Sequence, residues 1–294
     1  SFKNPIYLLF AITITWMFFS TVFNFVTAGW YTNDGCYVKE TVWMQMMYFA
    51  VFFVLSSIIT EKKYRLIIAR TLIAVSIIEA INAFLLVRRE FPDDPSHSFM
   101  GIFTNINYYG YYLVVSVLLC QGLYICEEKR FFKNASLIGV VMNAAALGLN
   151  DTLGAQTAAV CGSFFSIVVY YIVSRKIKKE ALFAASVCIV VMAGASTLNG
   201  ALLYNIFSMV SDIGMIITND EMAGAAGSGR FHIWIETLKL IGDNPVFGMG
   251  MEGIRIARLE EIVGNPRPHN EYLQYAVFYG IPAGIFYTGG CIGI

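Results

Sequence analysis

Apolar residues run along this chain in long blocks, broken by short polar turns. A helix crossing the hydrocarbon core needs about 20 mostly apolar residues, because each backbone N–H and C=O must find its partner within the segment. Eight blocks approach or meet that length, near 6–27, 41–60, 66–87, 107–126, 135–150, 156–174, 181–198 and 271–294. The first exceeds the roughly 7–15 residues of a signal-peptide core and counts as a span. The pattern predicts an all-α, polytopic transmembrane bundle with about eight spans. Residues 1–198 hold seven of them, 199–270 form a large extracytoplasmic loop region with amphipathic helices, and 271–294 form the eighth. The chain opens at Ser1 without a methionine and stops at Ile294 inside an apolar run, so both ends are expected to be cut.

The polar breaks give the bundle its sidedness. Glu61-Lys62-Lys63-Tyr64-Arg65, Glu127-Glu128-Lys129-Arg130 with Lys133, and Arg175-Lys176-Ile177-Lys178-Lys179 fall at every second turn. With Lys3 and Arg70 they hold twelve of the twenty basic residues, and the other eight are spread over much longer loops. Basic residues concentrate in cytoplasmic loops. The N-terminus is therefore expected inside, with 28–40, 88–106, the turn near 149–155 and 199–270 outside. The setting implied is an inner membrane with the large loop outside the cytoplasm.

Composition removes other classes. The chain is 57% hydrophobic and 14% charged, with a mean hydropathy of +0.63, which no soluble globular domain shows. Twenty acidic residues balance twenty basic ones, which gives no argument for a nucleic-acid partner. The six cysteines stand singly, without ligand or redox spacing, and read as small hydrophobes. No metal or other cofactor is called for.

Candidate chemistry gathers in the longest outer loop and the start of the last block. Phe231, Trp234, Leu238 and Ile241 recur at helical spacing after the Ala223–Gly229 run, which predicts an amphipathic helix at the membrane surface. It stops at Gly242-Asp243-Asn244-Pro245, a turn-forming sequence. Ser228 is placed to cap that helix, and Arg230 then lies in the first turn, where the dipole disfavours a cation. Free N–H groups and a guanidinium there would make an anion site for a phosphate or diphosphate, or the arginine snorkels to headgroups. His269 follows Asn265-Pro266-Arg267-Pro268 and opens a helix that enters the membrane. The dipole and partial burial should lower its pKa and leave the neutral imidazole a general base needs. It equally suits an interfacial cap. Asn270 and Gln274 share a helix face and could bind a sugar, orient the histidine or, for Asn270, cap the helix. Glu79, with Asn82, lies in the third block, where an ionisable group faces a bundle interior or a wet cavity, as a site residue or as an arginine's partner. Asn105 and Asn107 in the segment 101–110 are placed to cap a helix.

Together, Gly101-Ile102-Phe103-Thr104-Asn105-Ile106-Asn107, Arg230 with Trp234, Asn244-Pro245-Val246-Phe247-Gly248-Met249-Gly250 and His269-Asn270-Glu271-Tyr272-Leu273-Gln274 resemble the O-antigen ligase and polymerase family of bacterial membrane glycosyltransferases. The resemblance covers about residues 100 to 290. It implies transfer of a glycan from an undecaprenyl-diphosphate carrier to an acceptor on a glycan or another lipid-linked chain, at the outer face of the bilayer, without metal or nucleotide. On that model Arg230 holds the diphosphate and His269 deprotonates the acceptor. One departure concerns the turn Asp151-Thr152-Leu153-Gly154-Ala155, where the family carries an arginine and this chain has Leu153. Arg255, Arg258 or Arg267 are the candidates to replace that charge, as are Arg88 or Arg89.

Two other classes fit the same composition. A transporter or lipid-binding module would place its site at the bilayer midplane and use paired broken helices. A non-catalytic subunit of an envelope complex would leave Arg230 and His269 apart.

Overall fold

A computed structural model describes residues 4–28, 42–90, 99–103, 105–150, 152–198, 230–250 and 267–293, with isolated positions between 207 and 218. Among the described residues there are ten helices and no strand. They are α1 (Pro5–Ala28), α2 (Val42–Ile58), α3 (Lys62–Glu90), α4 (Ile106–Cys126), α5 (Arg130–Asn150), α6 (Leu153–Ser174), α7 (Lys179–Leu198), α8 (Arg230–Asp243), α9 (Glu271–Tyr279) and α10 (Ile281–Gly293). Six of them, α1 and α3 to α7, are long and apolar enough to span a membrane, and α2 is a shorter apolar helix. This is the all-α polytopic bundle the blocks predict. The described residues pack as two compact units, 60–208 and a second made of 1–59 with 209–294.

The unit 60–208 packs α3 to α7 around small residues. A Cβ on Gly148 would overlap the backbone carbonyl of Met192, so α5 and α7 touch backbone to backbone. Ala144, Ala146, Ala155, Ala159, Cys120 and Cys188 share the core with Tyr109, Leu113, Val117, Val140 and Leu147. Helices in lipid associate by close packing and internal hydrogen bonds, since the tails are as apolar as leucine. Side-chain amides supply such bonds: Asn143 donates to Ser76 Oγ (3.0 Å), and Gln121 to Ser163 Oγ (2.9 Å).

The basic breaks of the sequence gather at one end of this unit. Arg70 donates to Glu127 (2.6 Å) and lies 3.7 Å above the Phe132 ring, Lys133 meets Glu180 (3.2 Å), and Lys178 donates to the carbonyl of Ile125 (2.5 Å). At the other end, Asn105 caps α4 by accepting from the backbone of Asn107 (2.8 Å), as the sequence predicts. Asn150 donates to the carbonyls of Phe99 (2.8 Å) and Ile106 (3.1 Å). Charge separation between the ends follows the alternation of the loops.

In the second unit the eighth block departs from expectation. It is not one span: Gly280, at φ +92°, breaks it into α9 and α10, which fold back on each other. The Tyr275 and Tyr287 rings stack with centroids 3.9 Å apart, and a Cβ on Gly284 would lie 3.0 Å from Ala276 Cβ. Twelve residues of unbroken helix would separate the two tyrosines by about 18 Å. With nine residues, α9 is about 14 Å long, under half of the roughly 30 Å hydrocarbon core. The run 271–293 is a helical hairpin. Its second limb runs antiparallel to α1, with Gly293 against Ile6 and Gly290 against Phe10.

Candidate functional site

The turn after α8 shows why the chain needs its two glycines there. Gly248 adopts φ +60°, and a Cβ on it would sit 2.6 Å from the Phe278 backbone and the Gly280 nitrogen. A Cβ on Gly280 would overlap the carbonyl of Val246. Backbone bonds close the contact from both sides: Met249 N–H donates to Val277 O (3.0 Å) and Ile281 N–H to Pro245 O (2.8 Å). From α1, Trp16 Nε1 donates to Tyr279 O (3.0 Å), while Ser20 (2.5 Å) and Asn24 (3.1 Å) donate to Phe247 O. The Asn-Pro-x-x-Gly-x-Gly segment is thus the clasp that holds the hairpin vertex, and its carbonyls are satisfied by a polar stripe on α1.

From that clasp α8 runs back to the start of α9. It begins at Arg230, as expected, while Ser228 lies outside the described residues. Its buried face is Ile233, Thr237 and Ile241, with Trp234 half-buried beside it. Of the expected stripe, Ile241 is buried and Trp234 half-buried, while Phe231 (36%) and Leu238 (55%) are exposed. The decisive contact is polar: Trp234 Nε1 donates to the carbonyl of Pro268 (2.8 Å), the residue before His269. Arg230 precedes Trp234 by four residues, so both lie on one side of α8. The indole therefore ties the helix that carries the arginine to the turn that carries the histidine.

At that turn His269 adopts a left-handed backbone (φ +49°), and Asn270 starts α9 by accepting from the N–H groups of Tyr272 (3.1 Å) and Leu273 (3.3 Å). The capping role open to Asn270 in the sequence is realised. Gln274 follows one turn later and is buried. His269 is exposed, yet its pKa is pushed below the ordinary imidazole value. Loss of hydration against the surrounding protein is the main cause, and the charges of Arg230 and Arg267 add to it. Arg230 and His269 belong to one electrostatic neighbourhood, with Arg267 as a second guanidinium in it. Sequence reasoning offered Arg267 only as one of several replacements. Of the others, Arg255 and Arg258 lie outside the described residues, as do the side chains of Arg88 and Arg89.

Glu79 lies in the other unit and is buried, with 8% of its surface exposed. It accepts from the backbone N–H of Ile102 (2.9 Å) and from Asn82 (3.4 Å), and a Cβ on Gly101 would overlap its carboxylate. Its partners are thus a backbone amide and Asn82, and it clamps the Gly101-Ile102 turn ahead of α4. Leu153, at the position of the family's arginine, opens α6 behind Thr152.

The hairpin also bears on sidedness. Its open end, with Glu271 and Cys291, shares a cavity with Phe10 of α1 and Phe52 of α2. Tyr7 packs on Phe52 and Phe53, so this is the half of the unit that holds the start of α1 and the end of α2. The charge count puts the start of α1 and His269 on opposite faces, whereas the packing brings the start of α9 towards the N-terminal half of α1.

The O-antigen ligase family model matches residues 138–288, just over half of the chain. The chain belongs to the O-antigen ligase family. The match runs from α5 through the clasp, Arg230, Trp234 and His269 into the hairpin, so it contains the whole neighbourhood described above. Membership carries O-antigen ligase-like glycan transfer in a multi-pass membrane protein, with lipid-linked glycans as the substrate class. No curated protein and no solved structure matches this member of the O-antigen ligase family.

Proposed function

We propose that this O-antigen ligase family member transfers or polymerises a glycan carried on undecaprenyl diphosphate, with inversion at the anomeric carbon and without a metal. Arg230 binds the diphosphate, and Arg267, which shares the electrostatic neighbourhood of His269, supplies a second positive charge. His269 takes the proton from the acceptor hydroxyl as that oxygen attacks the anomeric carbon, and the diphosphate leaves with the bonding electrons. One displacement inverts the configuration, and the guanidinium groups stabilise the charge that develops on the leaving group. The observation that carries this reading is the Trp234–Pro268 hydrogen bond, which ties the arginine's helix to the histidine's turn.

The inner-membrane setting and the outer-face site rest on the clustering of basic residues in alternate breaks. Asn270, Gln274, Arg255, Arg258 and Glu79 are assigned supporting roles: the first four in holding sugar or phosphate oxygens, Glu79 in holding the 101–102 turn. A broken helix at a bilayer site would favour a transporter, but among the described residues α9–α10 is a single interruption and not the paired one that reading requires.

The test uses the full chain in nanodiscs with extracted lipid-linked glycan and acceptor, in the presence of EDTA. Release of undecaprenyl diphosphate and a product of inverted configuration are expected. Loss of turnover on chelation, or retention of configuration, would contradict the scheme. His269→Ala is expected to abolish transfer while inserting normally. In cells, long carrier-bound chains after deletion identify ligation, and single carrier-bound repeats identify polymerisation.

A further inference from the structure

Orientation by charge needs only a surplus of lysine and arginine in the loops on one side. It does not require those charges to stand free, yet at the basic end of the unit 60–208 most of them do. Two of the carboxylates at that end are taken by internal pairs: Glu127 is buried and held by Arg70 (2.6 Å), and Glu180 is held by Lys133 (3.2 Å). Outside these pairs Arg65, Lys129, Arg130, Arg175, Lys176 and Lys179 are all exposed. With Lys62 and Lys63 they make eight exposed cations against two exposed carboxylates, Glu61 and Glu128.

One of these cations is kept at the expense of the backbone. Arg175 ends α6 at φ +55°, a left-handed position that glycine fills without strain. Ser174 Oγ closes the turn by accepting from the Lys176 N–H (3.3 Å). Glycine would suit the turn better and would leave no guanidinium there. Exposed apolar side chains adjoin the cations: Tyr64 (47%) beside Arg65, Phe131 (75%) beside Arg130, and Val173 (80%) and Ile177 (59%) on either side of Arg175-Lys176. An acidic protein would meet the cations but not these. A lipid leaflet receives both, the apolar groups among its chains and the cations among its phosphates. Attraction to an anionic leaflet grows with each lysine or arginine near its surface.

We infer that this collar is a binding surface for anionic phospholipid headgroups at the basic end of α3 to α7. It rests on these helices crossing a membrane and not on the transfer reading. The test is lipid retention by the full chain, purified in detergent and offered equal amounts of phosphatidylglycerol and phosphatidylethanolamine, with bound lipid counted by native mass spectrometry. The wild type is expected to keep phosphatidylglycerol at least tenfold over phosphatidylethanolamine, and to keep it against excess glycerol 3-phosphate. Arg65→Gln, Arg130→Gln, Arg175→Gln and Lys176→Gln combined should bring the two lipids to within twofold of each other. Lys239→Gln, at an exposed lysine of the other unit, should leave the preference unchanged. Arg175→Gly alone should lower the preference at least twofold while melting, without lipid, at or above the wild-type temperature. Three results would overturn the surface: no preference in the wild type, which would leave the collar to an acidic partner; loss of phosphatidylglycerol to glycerol 3-phosphate, which would make it a site for free phosphate; or an unchanged preference in the folded four-site variant. Should that variant not fold, an unchanged preference in Arg175→Gly overturns it instead.

Discussion

At the scale of single residues, the proposed chemistry turns on keeping one imidazole uncharged next to two guanidiniums. Loss of hydration and like charge both act against the protonated form of His269. A base of this kind works above its pKa, so the acid limb of the rate profile should lie below the usual imidazole pKa of about 6.5. Arg230→Gln removes one of the opposing charges and should move that limb to higher pH, whereas Arg230→Lys should leave it near its wild-type position. The profile of kcat/KM against pH measures both. An unchanged limb in Arg230→Gln would separate the two residues. The sequence made His269 and Arg230 legible through their neighbours: a prolyl segment before a helix for one, a cation in a helix's first turn for the other. The sequence does not show that Arg267 joins Arg230, because proximity across 36 intervening positions is a product of folding.

At the scale of elements, Trp234 and the glycine pair 248/280 are the parts that place the chemistry. Trp234→Phe keeps a ring and loses the bond to Pro268. Transfer should fall by roughly ten- to a hundredfold, the scale of a small misplacement of reacting groups, with the protein still folded. Gly280→Ala puts a methyl group onto the Val246 carbonyl at a backbone angle that L residues rarely adopt. It should cost about 1–3 kcal/mol or more of stability in a thermal or denaturant titration. Gly242, in the last turn of α8 with nothing within 4 Å of its Cβ position, is the control. Gly242→Ala should be neutral or stabilise by up to about 1 kcal/mol. The hairpin itself was hidden in the sequence. Residues 271–294 are apolar but for Glu271, Gln274 and Thr288, and hydropathy measures a run's length but not whether it turns back. The signal that was there is Gly280-Ile281-Pro282, a left-handed position followed closely by a residue suited to the first turn of a new helix.

At the scale of the molecule, apolar blocks and the basic breaks between them were enough for the helices and for one charged end of the unit 60–208. Backbone satisfaction and burial of charge constrain those features strongly. The packing of the second unit was not legible, since it depends on which small residues allow two backbones to touch. Sidedness is where the charge count and this packing make different demands. Single cysteines at Lys3, Lys176 and His232, in a background with the six native cysteines replaced, resolve it by labelling with an impermeant maleimide in intact spheroplasts. Reaction at His232 alone is the outcome expected for an outer site. Reaction at Lys3 together with His232 would put the start of α1 and the site on the same face and reverse the assignment of the N-terminus.

The central claim is that Arg230 and His269 act as one site, and a double-mutant cycle on glycan transfer tests it most directly. Removal of an essential base costs on the order of 10²–10⁴ in rate. Groups that serve the same step fail to add. With Arg230→Ala, His269→Ala and the double variant assayed in nanodiscs, the double variant should be about as slow as the slower single one. Losses that multiply, or transfer retained by His269→Ala, would contradict it.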